Sequence, residues 1–243
     1  MLVTVPEFPA VAELYAKVKK SLADAGVACV HYDGVIPNPT TELVTRGAEL
    51  AKAEGVDVVI GLGGGSSMDT AKAIAVEATH PGTAWDYNCH TAGPTEQTLP
   101  ILAISTTAGT GSQTTPCAVI TKTSAKDKSA IWNKNIFPPR SHCRSRGYPS
   151  LPASVTAQTG FDAFCHNLRH ISPSTPTRWW SAWPWMPSVL SPHTLPRALA
   201  DGSDLEPAAR WPGPTPWAVS PTHPPVSLCP TAWACRSAAT VPM

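Results

Sequence analysis

Val56-Asp57-Val58-Val59-Ile60-Gly61-Leu62-Gly63-Gly64-Gly65-Ser66-Ser67-Met68-Asp69 is the stretch on which the reading of the fold turns. Val56 to Gly61 is a near-continuous apolar run, the pattern of a strand buried on both faces. Ser67 to Ala78 then returns to helical spacing. Strand, glycine-rich turn and helix together form one unit of a parallel α/β sheet, and the flanking text repeats that unit. Upstream, Thr40 or Thr41 can cap a helix that runs to about Glu54, after the rigid turn Pro37-Asn38-Pro39. Val27 to Tyr32 reads as a short strand ending at Asp33-Gly34, and Val11 to Ala25 as a helix stopped by Gly26. Downstream, Leu99 to Ser105 is another buried strand and Ala118 to Thr121 a third candidate. Strands alternating with helices predict an α/β fold, a parallel sheet covered on both faces. Ligands of such sheets bind at the carboxyl ends of strands, which points to the loops after Ile60 and Ile104.

Bulk properties narrow the function classes. A formal net charge of +1 gives no field that would draw nucleic acid or an anionic membrane. No apolar run is long enough to span a bilayer. Met1 to Pro6 carries neither a basic leader nor a long apolar segment, so the expected compartment is the cytoplasm. The 7 cysteines are odd in number and scattered without a Cys-x-x-Cys, which favours reduced thiols over a disulfide framework or zinc knuckle.

The composition breaks near residue 137. Residues 1–137 hold all 9 lysines but 8 of the 27 prolines, and residues 138–243 hold the other 19 prolines and 7 of the 9 tryptophans. Proline at that density excludes long helices and central strands. The expected organisation is therefore an α/β domain over 1–137, followed by largely irregular text over 138–243. Two ordinary islands interrupt that text, 151–166 and 195–206. Ordinary segments alternating with text rich in proline, tryptophan, arginine and serine are what a frameshifted GC-rich gene would give, and we hold this as a hypothesis. The alternative is a genuine disordered tail. The three frames of the coding DNA separate them, because no alternative frame should continue the islands if the hypothesis is wrong.

The chemistry-bearing motifs lie on loops and one helix. At Gly63-Gly64-Gly65-Ser66 no β-carbon hinders the approach of a phosphate, and the following helix offers unpaired N–H groups and a positive dipole end. The other reading is a flexible turn with Ser66 or Ser67 merely capping the helix. The spacing is not Gly-x-Gly-x-x-Gly. Thr106-Thr107-Ala108-Gly109-Thr110-Gly111-Ser112 follows the next buried strand and can bond an amide or phosphate oxygens, or only its own backbone. Asp162 and His166, four apart in a helix-compatible segment, share one face. A carboxylate and an imidazole so placed can ligate a divalent metal, although such pairs are commonly plain surface hydrogen bonds.

PNPT at 37–40, GLGGGSSMDTAKA at 61–73, TTAGTGS at 106–112 and TGFDAFCH at 159–166 resemble, in order, the motifs of the iron-type (group III) alcohol dehydrogenases. That family includes lactaldehyde reductase, 1,3-propanediol dehydrogenase and butanol dehydrogenase. The resemblance covers about residues 1–166. Glycerol dehydrogenase and dehydroquinate synthase share the fold, but the threonine loop favours the alcohol dehydrogenases. It implies a nucleotide-binding domain followed by an all-helical domain, of which this chain would keep a remnant. It implies NAD, with NADP as an alternative, and a divalent metal, ferrous iron with zinc as an alternative. Gly63, Gly64, Gly65 and Ser66 would hold the pyrophosphate with Asp69 nearby. Thr106, Thr107 and Thr110 would line the nicotinamide side, and Lys128 would add a cofactor contact. Asp162 and His166 match the first two metal ligands. The implied partner is a small alcohol or aldehyde, and intact members are expected to be homo-oligomers. The implied chemistry is hydride transfer between that alcohol and nicotinamide, with a metal polarising the oxygen.

Departures from the pattern set further expectations. A first strand and glycine turn of the family are expected to be missing ahead of Met1. Val5 stands where an acidic residue often reads the ribose, and Gln113 stands where Glu is usual. No segment matches the family's two remaining histidine ligands; His170, His193 and His223 lie in irregular text. A truncated and frameshifted chain of this kind is expected to show little or no dehydrogenase activity. The other functional classes are a non-catalytic NAD-binding fragment, a product that does not fold stably, and a glycerol-dehydrogenase-like relative.

Overall fold

The computed structural model of the chain describes residues 1–91, 93–107, 109–143 and 152–171, with 196, 199 and 200. Within these, the chain divides into two compact units: 1–105 with 112–142, and 106–111 with 143, 152–171, 196, 199 and 200. The first unit is built on a five-stranded sheet. Its strands are β1 (Leu2–Val3), β2 (His31–Tyr32), β3 (Val59–Gly63), β4 (Ile101–Ser105) and β7 (Arg140–Cys143), in the order β2-β1-β3-β4-β7. Pairings β1·β2, β1·β3 and β3·β4 are all parallel, as the alternation of elements predicted. Strand β7 extends the sheet beyond residue 137, where the composition changes.

Side-chain alternation along the strands divides the core between two helical layers. Leu2, Ile60 and Leu62 face α1 (Pro9–Asp24), packing with Tyr15 and the half-buried Val11, Leu14 and Val18. Val3, Val59 and Ile101 face the other way, into the larger cluster built from α2 (Thr41–Ala53) and α3 (Gly65–Glu77). Gly61 in β3 is why α3 can lie so close: a β-carbon there would stand 3.0 Å from the Met68 Cα and 3.1 Å from the Ala71 Cβ.

Three local features differ from the sequence reading. Helix α2 begins after Thr40, but the Thr40 side chain makes no capping bond to the helix. The Glu42 carboxyl instead sits below its ordinary range, held by its own backbone N–H and the Thr40 hydroxyl. Second, β5 (Cys117–Lys122) is a strand, as expected over 118–121, but it does not join the parallel sheet. It pairs antiparallel with β6 (Asp127–Trp132) in a separate two-stranded sheet. The cause is the connection: eleven residues without an α-helix link Ser105 to Cys117, too little for the usual crossover back to a parallel position. A short turn with Lys126 in the left-handed region (φ 51) reverses the chain instead. Third, Leu2–Val3 forms an inner strand, although no strand was read ahead of the first helix.

In the second unit, α4 (Ala153–Ile171) occupies the 151–166 island and extends past it. The backbone of Gly109 lies against α4, because a β-carbon there would collide with the Thr159 carbonyl oxygen. The 195–206 island lies outside the described residues apart from 196, 199 and 200. Among the described residues, no helix is long and apolar enough to cross a membrane.

Candidate nucleotide-binding site

The apolar run ends in Gly61-Leu62-Gly63, and the chain turns into α3 within two residues. Gly63 has φ 143, a conformation that side-chain-bearing residues rarely adopt, and a β-carbon there would stand 2.5 Å from the Ser67 Oγ. The helix N-cap is Gly64, with no side-chain capping bond. Ser66 and Ser67 therefore lie inside the first turn and do not cap it. The N-terminal amides of α3 consequently have no side-chain cap among the described residues, and they carry the positive end of the helix dipole. The Ser67 hydroxyl at this turn is fully buried and has no hydrogen-bond partner among the described residues. Gly63 also pairs with Ser105 in the β3–β4 ladder, so the glycine turn and the threonine loop leave neighbouring strand ends.

One turn further along α3, Asp69 and Lys72 bind the chain segment that leads into β5. Asp69 Oδ1 accepts from the Ser112 hydroxyl at 2.6 Å, and Oδ2 from the Val119 N–H at 3.1 Å. Lys72 is completely buried, and its ammonium donates to the carbonyls of Ser112 (2.6 Å), Thr115 (2.9 Å) and Cys117 (2.7 Å). The Ser112 hydroxyl is also within reach, at 2.9 Å. Burial pushes the Asp69 carboxyl above its ordinary value. The Lys72 charge, the bonds from Ser112 and Val119, and the Lys128 charge pull the other way without cancelling the rise.

Lys128 stands exposed on β6 and donates to Asn38 Oδ1 at 2.7 Å. Asn38 belongs to the proline-flanked turn and holds φ 56, a left-handed geometry that asparagine tolerates better than most residues. Gly63, Gly64, Gly65, Ser66, Asp69 and Lys128 thus all belong to the first unit. Thr106, half-buried, Thr107, buried, and Thr110, exposed, belong to the second with α4. Asp162 lies half-buried on α4; His166 is one turn along the same helix, and its side chain lies outside the described residues. Among the described residues, no group of three or more histidine, cysteine, aspartate or glutamate side chains could hold a metal.

The sequence reading quoted Lys72, Ser112 and Asn38 within its motifs but gave none of them a role of its own. A signal for the first was available: Lys72 interrupts Ala71 and Ala73-Ile74-Ala75-Val76, three residues after Asp69. A lysine inside an otherwise small and apolar helical run must find compensating oxygens when it is buried.

Sheet order, parallel pairing and the glycine turn before α3 define an open α/β domain of the kind that binds ligands at strand carboxyl ends. A family model described as iron-containing alcohol dehydrogenase matches residues 1–141, and the chain belongs to that family. The choline dehydrogenase of Bacillus subtilis is 40% identical over 194 residues, which cover 77% of this chain and 47% of that protein. The NAD-dependent methanol dehydrogenase of Bacillus methanolicus is 34% identical over 193 residues, covering 79% of this chain and 50% of the other. Among solved structures, the halo-thermophilic alcohol dehydrogenase of an archaeon from a Red Sea brine pool superposes with a TM-score of 0.78 at 37% identity. That superposition covers 86% of this chain and 54% of the archaeal one. The chain thus spans about half the length of the relatives it matches.

Proposed function

We propose that this chain is the dinucleotide-binding part of a metal-dependent, NAD-linked alcohol dehydrogenase, and that the turn before α3 grips the pyrophosphate. The observation that carries this reading is the helix start. Gly64 gives α3 no side-chain cap, Gly63 adopts a geometry that keeps side chains away, and the Ser67 hydroxyl lacks a partner among the described residues. Phosphate oxygens would satisfy those groups. Gly63, Gly64, Gly65 and Ser66 are the proposed cradle. Asp69 acts one turn further on, and Lys128 with Asn38 offers an exposed cation and amide. Thr106, Thr107 and Thr110 are the proposed nicotinamide-side contacts. NAD is preferred over NADP because a matched relative is named for NAD dependence. When bound, nicotinamide supplies a hydride acceptor or donor for a small alcohol or aldehyde.

The metal stands differently. Asp162 and His166 are the proposed ligands, with ferrous iron preferred and zinc the alternative, but the described residues do not complete a site. Two ligands hold a metal loosely, and the reacting carbon would be poorly placed. The expected outcome is therefore cofactor binding with little or no turnover.

The test is a titration of NAD into the full chain with and without ferrous ion, alongside turnover with a primary alcohol. The expected result is saturable binding that does not depend on the metal and is abolished by Gly64→Glu. Absence of binding, or equal binding by the Gly64→Glu chain, contradicts the proposal. Brisk turnover would contradict the expected inactivity alone.

A further inference from the structure

We propose that Lys72, together with Asp69, is a positioning residue that fixes the closing end of the Thr106–Gly111 loop and so controls the grip on the nicotinamide half of the cofactor. This rests on the dinucleotide reading above and assigns Lys72 a task within it.

Burial of the Lys72 ammonium is something that packing alone would not require. Taking an ammonium out of water carries a large desolvation penalty, and a methionine of similar volume would fill the same space without it. Lys72 nevertheless has no exposed surface. Its three N–H bonds meet four oxygens within 2.9 Å, three of them backbone carbonyls of Ser112, Thr115 and Cys117. That shell resembles the coordination of a small cation, with the cation tethered to α3. Asp69 completes it from the same helix, accepting hydrogen bonds from the Ser112 hydroxyl at 2.6 Å and the Val119 N–H at 3.1 Å. The segment so gripped runs through a 3-10 turn (Ser112–Thr114) before β5 begins, and it has no place in a sheet ladder until Cys117. These two side chains hold it at Ser112, Thr115, Cys117 and Val119.

Ser112 is the residue directly after Gly111. The other end of the threonine loop is already fixed, because Ser105 ends β4 in register with Gly63. One rigid helix thus carries the proposed phosphate turn at its start and the clamp on the loop's far end in its second turn. The separation is five residues from Gly64 to Asp69, about 7.5 Å at the helical rise. Displacement of contacts by about 1 Å can cost as much as a hundredfold in a positioned complex, so a clamp of this kind has leverage.

The experiment compares NAD with ADP-ribose, which has the adenosine and both phosphates but no nicotinamide. Each is titrated calorimetrically into the full chain, into Lys72→Met and into Ser112→Ala, with the fold of each variant checked by circular dichroism. The parent chain is expected to bind NAD about tenfold more tightly than ADP-ribose. In Lys72→Met that preference should vanish while ADP-ribose affinity changes by less than about twofold, and Ser112→Ala should fall between. If Lys72→Met does not fold, Ser112→Ala decides the matter, since it removes one hydroxyl and no charge. Equal weakening of both ligands in the variants would mean a purely structural role and would overturn the proposal. So would an NAD preference that survives in both variants, or a parent chain that binds the two ligands equally. A parent chain that binds neither ligand overturns the dinucleotide reading itself.

Discussion

Helices α1 and α3 pack on opposite faces of one sheet, yet ten of the thirteen residues of α3 are buried, against only Tyr15 among the sixteen of α1. Helix α1 is an ordinary amphipathic cover, with one face on β1 and β3 and the other in water. Helix α3 is surrounded: β3 lies beneath it, α2 beside it, and β5 with its preceding turn beyond. The difference shows where the fold invests its rigidity. The helix whose first turn faces the candidate phosphate site is locked from all sides, and the helix with no part in the site is held by one face only.

Substitutions can break or sharpen that contrast. Ile74→Ala on α3 should have the largest effect, a loss of about 2–5 kcal/mol in denaturant unfolding, because Ile74 is fully buried between α2 and the sheet. A loss below about 1 kcal/mol would mean that α3 is not locked. Gly47→Ala tests the same contact from α2. The new methyl would meet the Ile74 Cγ1 at 2.9 Å and the Tyr32 Cε1 at 3.3 Å, so about 1–3 kcal/mol should be lost to overpacking. On the other face, Leu14→Ala removes a half-buried side chain of α1 and should cost about 1 kcal/mol. A midpoint shift as large as that of Ile74→Ala would erase the contrast.

The Asp69 carboxyl gives a pH signature. Burial raises it above its ordinary value, so the folded chain holds that proton more tightly than the unfolded chain does. The protonated form therefore contributes stability at acid pH, and this contribution is lost as pH rises from the ordinary carboxylate value through the raised one. The slope cannot exceed about 1.4 kcal/mol per pH unit for one proton. Urea midpoints measured across that window should show the decline in the parent chain and lack it in Asp69→Asn. An identical pH profile in both would remove Asp69 as the source. The smallest effect belongs to Glu13→Ala, which breaks the exposed Lys17–Glu13 pair on α1 and should change stability by less than about 0.5 kcal/mol.

The parts of this molecule that could be read before folding are those where one physical signal dominates. The apolar run into triple glycine located β3 and the start of α3, because strand burial and backbone clearance leave a strong mark on composition. Helix α1 was legible from its amphipathic spacing. The placement of β5 was not, since a six-residue strand reads alike in either pairing direction and only the length of its connection excludes the parallel one. Strand β1 is two residues long, too short to carry any period. In the candidate site, glycines and hydroxyls announced themselves, whereas the ligands of Lys72 are backbone carbonyls, which any residue supplies. Such a shell leaves no trace in side-chain identity, and only the lysine itself could have raised the question.

The most direct test follows backbone amide resonances by NMR as NAD is added to the full chain. The largest shifts should fall on Gly64, Gly65, Ser66 and Ser67 at the start of α3, with the amides of α1 unmoved. Saturable binding that leaves those four amides in place, or moves α1 as much, would contradict it.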